Sequence, residues 1–346
     1  MKRNVKLIVT LSSLALLLCA CRGGRGRNSE SSISLPWISG STTVSPTTGS
    51  NPTTAGTTQG GSSGTTTGSQ SVTSATSGTS VTSQTTATTS VTPPSSLPST
   101  SLPDDVNTYY SGISDSLSGT DLLNALNSLN SSKRKKTVGY DGMKTFAAKC
   151  DIDPEGNGHI IGFYDNADVG TKWDTSKWNR EHVWPNSRGG SLVEGDAHMT
   201  RPCSVSENSG RGSKGFGTAS YDPGHSVTYY RGVASRIIFY CAIANTNLKI
   251  EDIVLNYDWG NPNDPGKTNT MGTLSDMLRW NLEYAPSGSY SNSADQVARR
   301  VELNRNEVIQ NDSSGQGNRN PFIDHPEYAC RIWGSTNSTT RSICGM

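Results

Sequence analysis

Between residues 31 and 103 the chain carries no charged side chain, and from residue 28 onward this stretch is almost entirely Ser, Thr, Gly and Pro. Such a composition buries too little apolar surface to offset the entropy lost on ordering, so a disordered spacer is expected there. About seventy flexible residues give a reach of roughly 45 Å. A fold must therefore come from residues 104–346. That length supports one substantial core, burying roughly 70–75% of the extended chain's surface. The apolar fraction of 32% understates this part of the chain, because the spacer dilutes it.

Ahead of the spacer, Met1-Lys2-Arg3-Asn4-Val5-Lys6 is basic, and residues 7–18 form a mainly apolar run. The run is too short to span a bilayer comfortably and suits the apolar centre of a signal peptide. Leu18-Cys19-Ala20-Cys21 resembles a bacterial lipobox, with cleavage before Cys21 and a lipid on its sulfur. The expected organisation is a lipoprotein signal peptide at residues 1–20, a lipid-anchored spacer at 21–103 and a folded domain at 104–346. This places the domain outside the cell, tethered to the membrane. Secretion without an anchor is the alternative.

Within the domain, Thr120-Asp121 opens a helix with Leu122, Leu126 and Leu129 on one face. Residues 227–248 hold an apolar-rich helical stretch, and residues 274–282 and 294–310 read as two more helices. Gly-, Asn- and Pro-rich loops separate these pieces. The expected class is α+β, mainly helical with small antiparallel strands.

The chemistry concentrates in residues 179–216. Asn179-Arg180-Glu181-His182-Val183-Trp184-Pro185 is followed by a Gly-rich spacer, then Asp196-Ala197-His198-Met199-Thr200-Arg201-Pro202 and Ser206-Glu207-Asn208-Ser209-Gly210-Arg211-Gly212. Phosphodiester hydrolysis needs a base to deprotonate water and a cation for the charge that develops. His182 is the candidate base, since imidazole titrates near neutrality. Glu181 and Asn208 are candidate oxygen ligands for a hard divalent ion, and Mg2+ accepts a few such ligands and completes its octahedron with water. On a regular strand adjacent side chains point to opposite faces, so Glu181 and His182 must sit where a strand breaks. Residues 196–201 read as a second short strand ended by Pro202. Residues 204–214 read as a short helix or turn carrying Asn208, with Ser204 or Ser206 as N-cap.

These segments resemble the endonuclease I family, exported nucleases of the His-Me finger (ββα-metal) class. The resemblance extends to Tyr109-Tyr110-Ser111-Gly112, Asn304-Arg305-Asn306 and Gly317-Asn318-Arg319-Asn320-Pro321, and covers roughly residues 105–334. It implies His182 as general base, Glu181 and Asn208 as Mg2+ ligands, and Arg211 or Arg201 on the scissile phosphate. Asp196 and His198 are implied as groups that orient the site. Where many relatives carry Arg-Gly-Asn or Arg-Ser-Asn, this chain has Arg211-Gly212-Ser213.

The formal charge of +1 is misleading. Removing the six cations and Glu30 of the N-terminal segment leaves −4 for residues 31–346. Phosphate contacts must then come from a local stripe, for which Arg180, Arg188, Arg201, Arg211, Lys214 and Arg231 are candidates, and binding should weaken steeply with salt. Cys330 and Cys344 are the nearest plausible disulfide partners among Cys150, Cys203, Cys241, Cys330 and Cys344. The leading expectation is a monomeric, Mg2+-dependent, sequence-nonspecific endonuclease acting on DNA, RNA or both and leaving 5′-phosphate ends. A metal-independent ribonuclease and a non-catalytic nucleic-acid-binding or adhesive surface lipoprotein are the alternatives. No Gly-x-Ser-x-Gly elbow or His-Glu-x-x-His helix supports another hydrolase.

Overall fold

The computed structural model describes residues 104–255 and 269–346. The expected signal peptide, Cys21 and the expected spacer lie outside the described residues. Ten helices and two small sheets are present among those described: α1 Asp104–Tyr110, α2 Gly119–Lys133, α3 Met143–Cys150, β1 Trp178–His182, β2 Thr200–Ser204, α4 Val205–Arg211, α5 Tyr230–Ala244, β3 Lys249–Ile250, β4 Thr270–Met271, α6 Leu274–Glu283, α7 Ser293–Asn311, α8 Pro321–Asp324, α9 Glu327–Trp333 and α10 Ser338–Ile343. The α+β, mainly helical class is observed.

Helix α5 is the axis of the core. Its residues from Val233 to Ile243 are all buried, as expected of a helix that is apolar around its whole circumference. Helices α2 and α6 pack against it. Helix α2 presents Leu122, Leu126 and Asn130 inward, the i, i+4, i+8 stripe of an amphipathic helix. Helix α7 starts at Asn292, whose side chain accepts from the Ala294 N–H and satisfies one of the donors left open in a first turn. A disulfide joins Cys330 to Cys344, while Cys150, Cys203 and Cys241 are free and buried.

The segment that holds the candidate residues folds as an antiparallel ribbon running directly into a helix. Strand β1 pairs with β2 so that Glu181 faces Arg201 and His182 faces Thr200. Helix α4 begins at once, with the Ser204 hydroxyl accepting from the Glu207 N–H. One expectation is corrected: the second strand covers Thr200–Ser204, not residues 196–201, and Pro202 lies inside it. Residues 196–199 form a turn instead, because the Asp196 carboxylate accepts the His198 N–H at 2.9 Å and its carbonyl accepts the Met199 N–H at 3.1 Å. Proline is tolerated in β2 because the sheet has only two strands, so the missing N–H interrupts no second ladder. A second correction concerns β3 and β4, which pair in parallel.

Candidate active site

Glu181 and His182 are the last two residues of β1, where the ribbon ends, and Asn208 lies in the middle of α4. All three line one cleft of about 620 Å³, together with Tyr140, Trp173, Arg180, Asn186, Arg211 and Ser213. The ribbon-to-helix connection closes the gap of 26 positions between His182 and Asn208. Gly190 keeps the loop after β1 tight, since a Cβ there would collide with the Trp184 carbonyl.

The His182 imidazole is held from two sides. Its Nε2 lies 3.0 Å from Glu194 Oε1, and its ring packs on Tyr140 at 4.6 Å between centroids. With Nε2–H donating to the carboxylate, Nδ1 keeps its lone pair for an incoming proton. Burial holds the pKa of His182 below the ordinary imidazole value, opposed by the hydrogen bond and charge of Glu194. The ring is therefore neutral at pH 7, the state a base requires.

Glu181 is only 3% exposed. Burial raises its pKa, while the Arg211 guanidinium and the hydrogen bond from Tyr164 pull it down. The Tyr164 hydroxyl donates to Oε1 at 2.8 Å, and Arg211 Nε stands 3.5 Å from the same oxygen. Tyr164 adopts φ 82, a left-handed conformation unfavourable for a bulky residue and one that often marks functional sites. The Asn208 side chain has no hydrogen-bond partner among the described residues. A buried carboxylate with incomplete neutralisation and an uncommitted amide, both facing one cleft, fit a hard divalent cation that keeps most of its water. Among the described residues no cluster of three or more His, Cys, Asp or Glu is arranged to hold a metal.

The arginines divide. Arg211 lines the cleft and ties down the end of β1, donating to the carbonyls of His182 at 3.2 Å and Val183 at 2.6 Å. Arg201 is not brought to the cleft. Although it stands across the ribbon from Glu181, its Nε donates to Asp151 Oδ1 at 2.8 Å in the interior. Arg305 bonds the same Asp151 and also the Thr200 carbonyl at 2.6 Å. This buried cluster fixes β2 rather than facing solvent.

Asp196 and His198 do not line the cleft either. Asp196 accepts from Tyr240 Oη at 2.7 Å and Gln316 Nε2 at 2.9 Å, and pairs with Arg134. His198 donates to the Asn318 carbonyl at 3.2 Å, and burial holds it neutral. Their effect on the site runs through the backbone: the turn they stabilise at residues 196–199 directly follows the turn that carries Glu194, whose carboxylate reaches His182. The Gly139 N–H donates to the Gly195 carbonyl at 3.0 Å, tying the loop that carries Tyr140 to that turn.

Four cleft or supporting residues were not singled out from sequence: Glu194, Tyr140, Tyr164 and Trp173. Glu194 precedes Asp196 by two positions, and only the turn geometry brings it to the imidazole. No local sequence signal marks Tyr140 or Tyr164.

The Endonuclease I family model matches residues 118–327. The chain is 34% identical over 250 residues to the extracellular ribonuclease of Bacillus amyloliquefaciens, covering 66% of this chain and 79% of that protein. It is 32% identical over 252 residues to the extracellular ribonuclease of Bacillus subtilis (strain 168), with the same coverage of each chain. No solved structure matches. The family match spans more than half of the sequence and contains the whole cleft segment from β1 to α4, so the chain belongs to the endonuclease I family and is a nuclease.

Proposed function

We propose that the protein is a secreted, divalent-cation-dependent phosphodiesterase of the ββα-metal type that hydrolyses RNA and DNA strands without sequence selection. The observation that carries this reading is the convergence of Glu181, His182 and Asn208 on one cleft. His182 accepts a proton from the attacking water through Nδ1, while Glu194 holds the ring by Nε2. Arg211 keeps the strand end that presents both residues in place and supports the charge of Glu181. Glu181 and Asn208 would hold Mg2+ or a similar ion, which supplies electrostatic stabilisation of the developing alkoxide. Attack by water on phosphorus in line with the 3′-oxygen, which leaves as the P–O3′ bond breaks and is then protonated, gives 5′-phosphate and 3′-hydroxyl ends and does not require a 2′-hydroxyl.

Secretion rests on the N-terminal segment and on the extracellular naming of both relatives. A lipid on Cys21 is the proposed anchor. Those relatives are ribonucleases by name, which makes RNA the first substrate to test and favours one competing route, attack by the 2′-hydroxyl. That route leaves a 2′,3′-cyclic phosphate. Incubation with RNA and plasmid DNA, with and without chelator, followed by end-group analysis, tests the proposal. Loss of cleavage in chelator, in His182→Ala and in Asn208→Ala is expected, with a fall of about 10²–10⁴ for the base. Full activity of His182→Ala, or cyclic phosphate ends, would remove the mechanism.

A further inference from the structure

We infer that the Tyr140–Arg180–Trp173 end of the cleft is a stacking subsite for one unpaired nucleobase beside the scissile phosphate, so that the enzyme takes single strands in preference to duplex. The inference rests on the nuclease reading of the same cleft. Tyr140 and Trp173 are half-buried aromatic residues in the wall of an otherwise polar cleft. Tyr140 touches the proposed base directly through its ring contact with His182, so a ligand group at this end sits next to the chemistry.

Arg180 joins the two rings. Its guanidinium lies over Tyr140 at 3.5 Å and over Trp173 at 5.3 Å from the centroids. Nη1 donates to the Tyr140 carbonyl at 2.8 Å and to Asp141 at 2.7 Å. With its charge paired, what Arg180 presents is a flat surface. Its Nε is buried and makes no hydrogen bond. The Trp173 ring is braced edge-on by the buried Trp178 at 4.5 Å, and Lys144 Nζ stands 5.7 Å from its centroid.

Tyr140 is already packed against both His182 and the Arg180 guanidinium, so the planes left to meet the π-face of a nucleobase are those of Trp173 and Arg180. Bases within a duplex have both faces covered by their neighbours, whereas an unpaired base can be stacked on a protein ring. Every base has such a face, so the subsite adds affinity without selecting sequence. Unpaired RNA and DNA share this chemistry, and the 2′-hydroxyl is not part of the argument.

The test uses the wild-type protein in chelator and a set of short labelled single strands, RNA and DNA, each with one abasic position. One position should weaken binding by about 5- to 150-fold, the range found when a base loses its aromatic partner. In Trp173→Ala that dependence on position should vanish, and in Trp173→Phe it should return. With metal restored, the ratio of kcat/KM on single strand to that on the matching duplex should fall in Trp173→Ala. A flat abasic series with wild-type protein overturns the inference, as does an equal loss at all positions in Trp173→Ala. Cleavage with a flat series would remove the subsite alone. Position-dependent binding without cleavage under any metal would remove the catalytic reading and leave the subsite standing.

Discussion

Replacing Glu194 with glutamine isolates the charge that the turn at residues 193–196 delivers to the base. Glutamine keeps an oxygen to accept from His182 Nε2, so the ring orientation and tautomer survive while the negative charge is lost. The present contact is 3.0 Å, with the imidazole side chain 15% exposed and the carboxylate 37% exposed. A hydrogen bond to a charged group contributes about 1.5–3 kcal/mol when dry, and the exposure of Glu194 reduces this to about 1 kcal/mol. That energy stabilises the imidazolium, the form that cannot accept a proton. Its loss therefore lowers the pKa of His182 further and moves the acid limb of the rate profile down by about 0.7 of a pH unit. A weaker base also transfers protons less readily, so the plateau kcat should fall by about threefold. Glu194→Ala removes the orientation as well, and a loss of about 10- to 100-fold is expected. The assay is kcat against pH on a short single strand at saturating metal. An acid limb that stays in place or moves upward in Glu194→Gln would refute the assignment of His182 as base and of Glu194 as its partner.

Tyr164→Phe should act in the opposite direction. Without its hydrogen bond the buried Glu181 carboxylate is less stable as an anion, so the pH at which metal binding is half lost moves upward, as read by calorimetric titration of Mg2+ at several pH values. An unchanged midpoint would separate Glu181 from the metal. Cys330→Ser opens a loop of 14 residues and should destabilise the domain by about 3 kcal/mol. For a domain of this size that is a fall in Tm of about 6–12 °C, measured with and without reductant, since reduction should leave the variant unmoved.

Helices α2, α6 and α7 were legible because each carries an apolar period, and α5 because it is apolar around its whole circumference; their ends agree with expectation within a few residues. The exceptions are the ends of α5, where residues 227–229 and 245–248 lie outside the helix. Short helices such as α8, α9 and α10 carry too few periods to announce themselves. At the site, the base and the two oxygen donors could be named because their identities and order are themselves the signal. Their supports could not. The partner of Arg201 is Asp151, 50 residues earlier, and the partner of Glu181 is Tyr164, presented by a strained backbone. An arginine in a nuclease motif suggests a phosphate contact, but whether a buried carboxylate claims it first is decided by tertiary packing. The second strand shifted for a local reason that was readable in retrospect: an aspartate two residues before a histidine competes for backbone N–H groups and turns the chain.

The same competition revises the expected response to salt. Six cations were candidates for a phosphate-binding stripe, and the structure commits most of them elsewhere. Arg201 pairs with Asp151, Arg231 with Asp222 at 2.6 Å and Arg180 with Asp141 at 2.7 Å. Arg188 donates to the Ser213 carbonyl at 2.8 Å and is buried, and Arg211 serves the carbonyls at the end of β1. Lys214 is the cation on an exposed contact, to the Gly210 carbonyl. A domain with net negative charge, with most of these six cations committed elsewhere, displaces few counterions from a strand in the cleft. With about two phosphates neutralised on a single strand, log K should fall with log[salt] at a slope of about −1.4, a loss of about sevenfold between about 50 and 200 mM. Affinity must then rest on the metal and on stacking, neither of which screens in this way. A loss of several hundredfold over that range, the signature of about six phosphate contacts, would mean that a basic track beyond this cleft carries the strand.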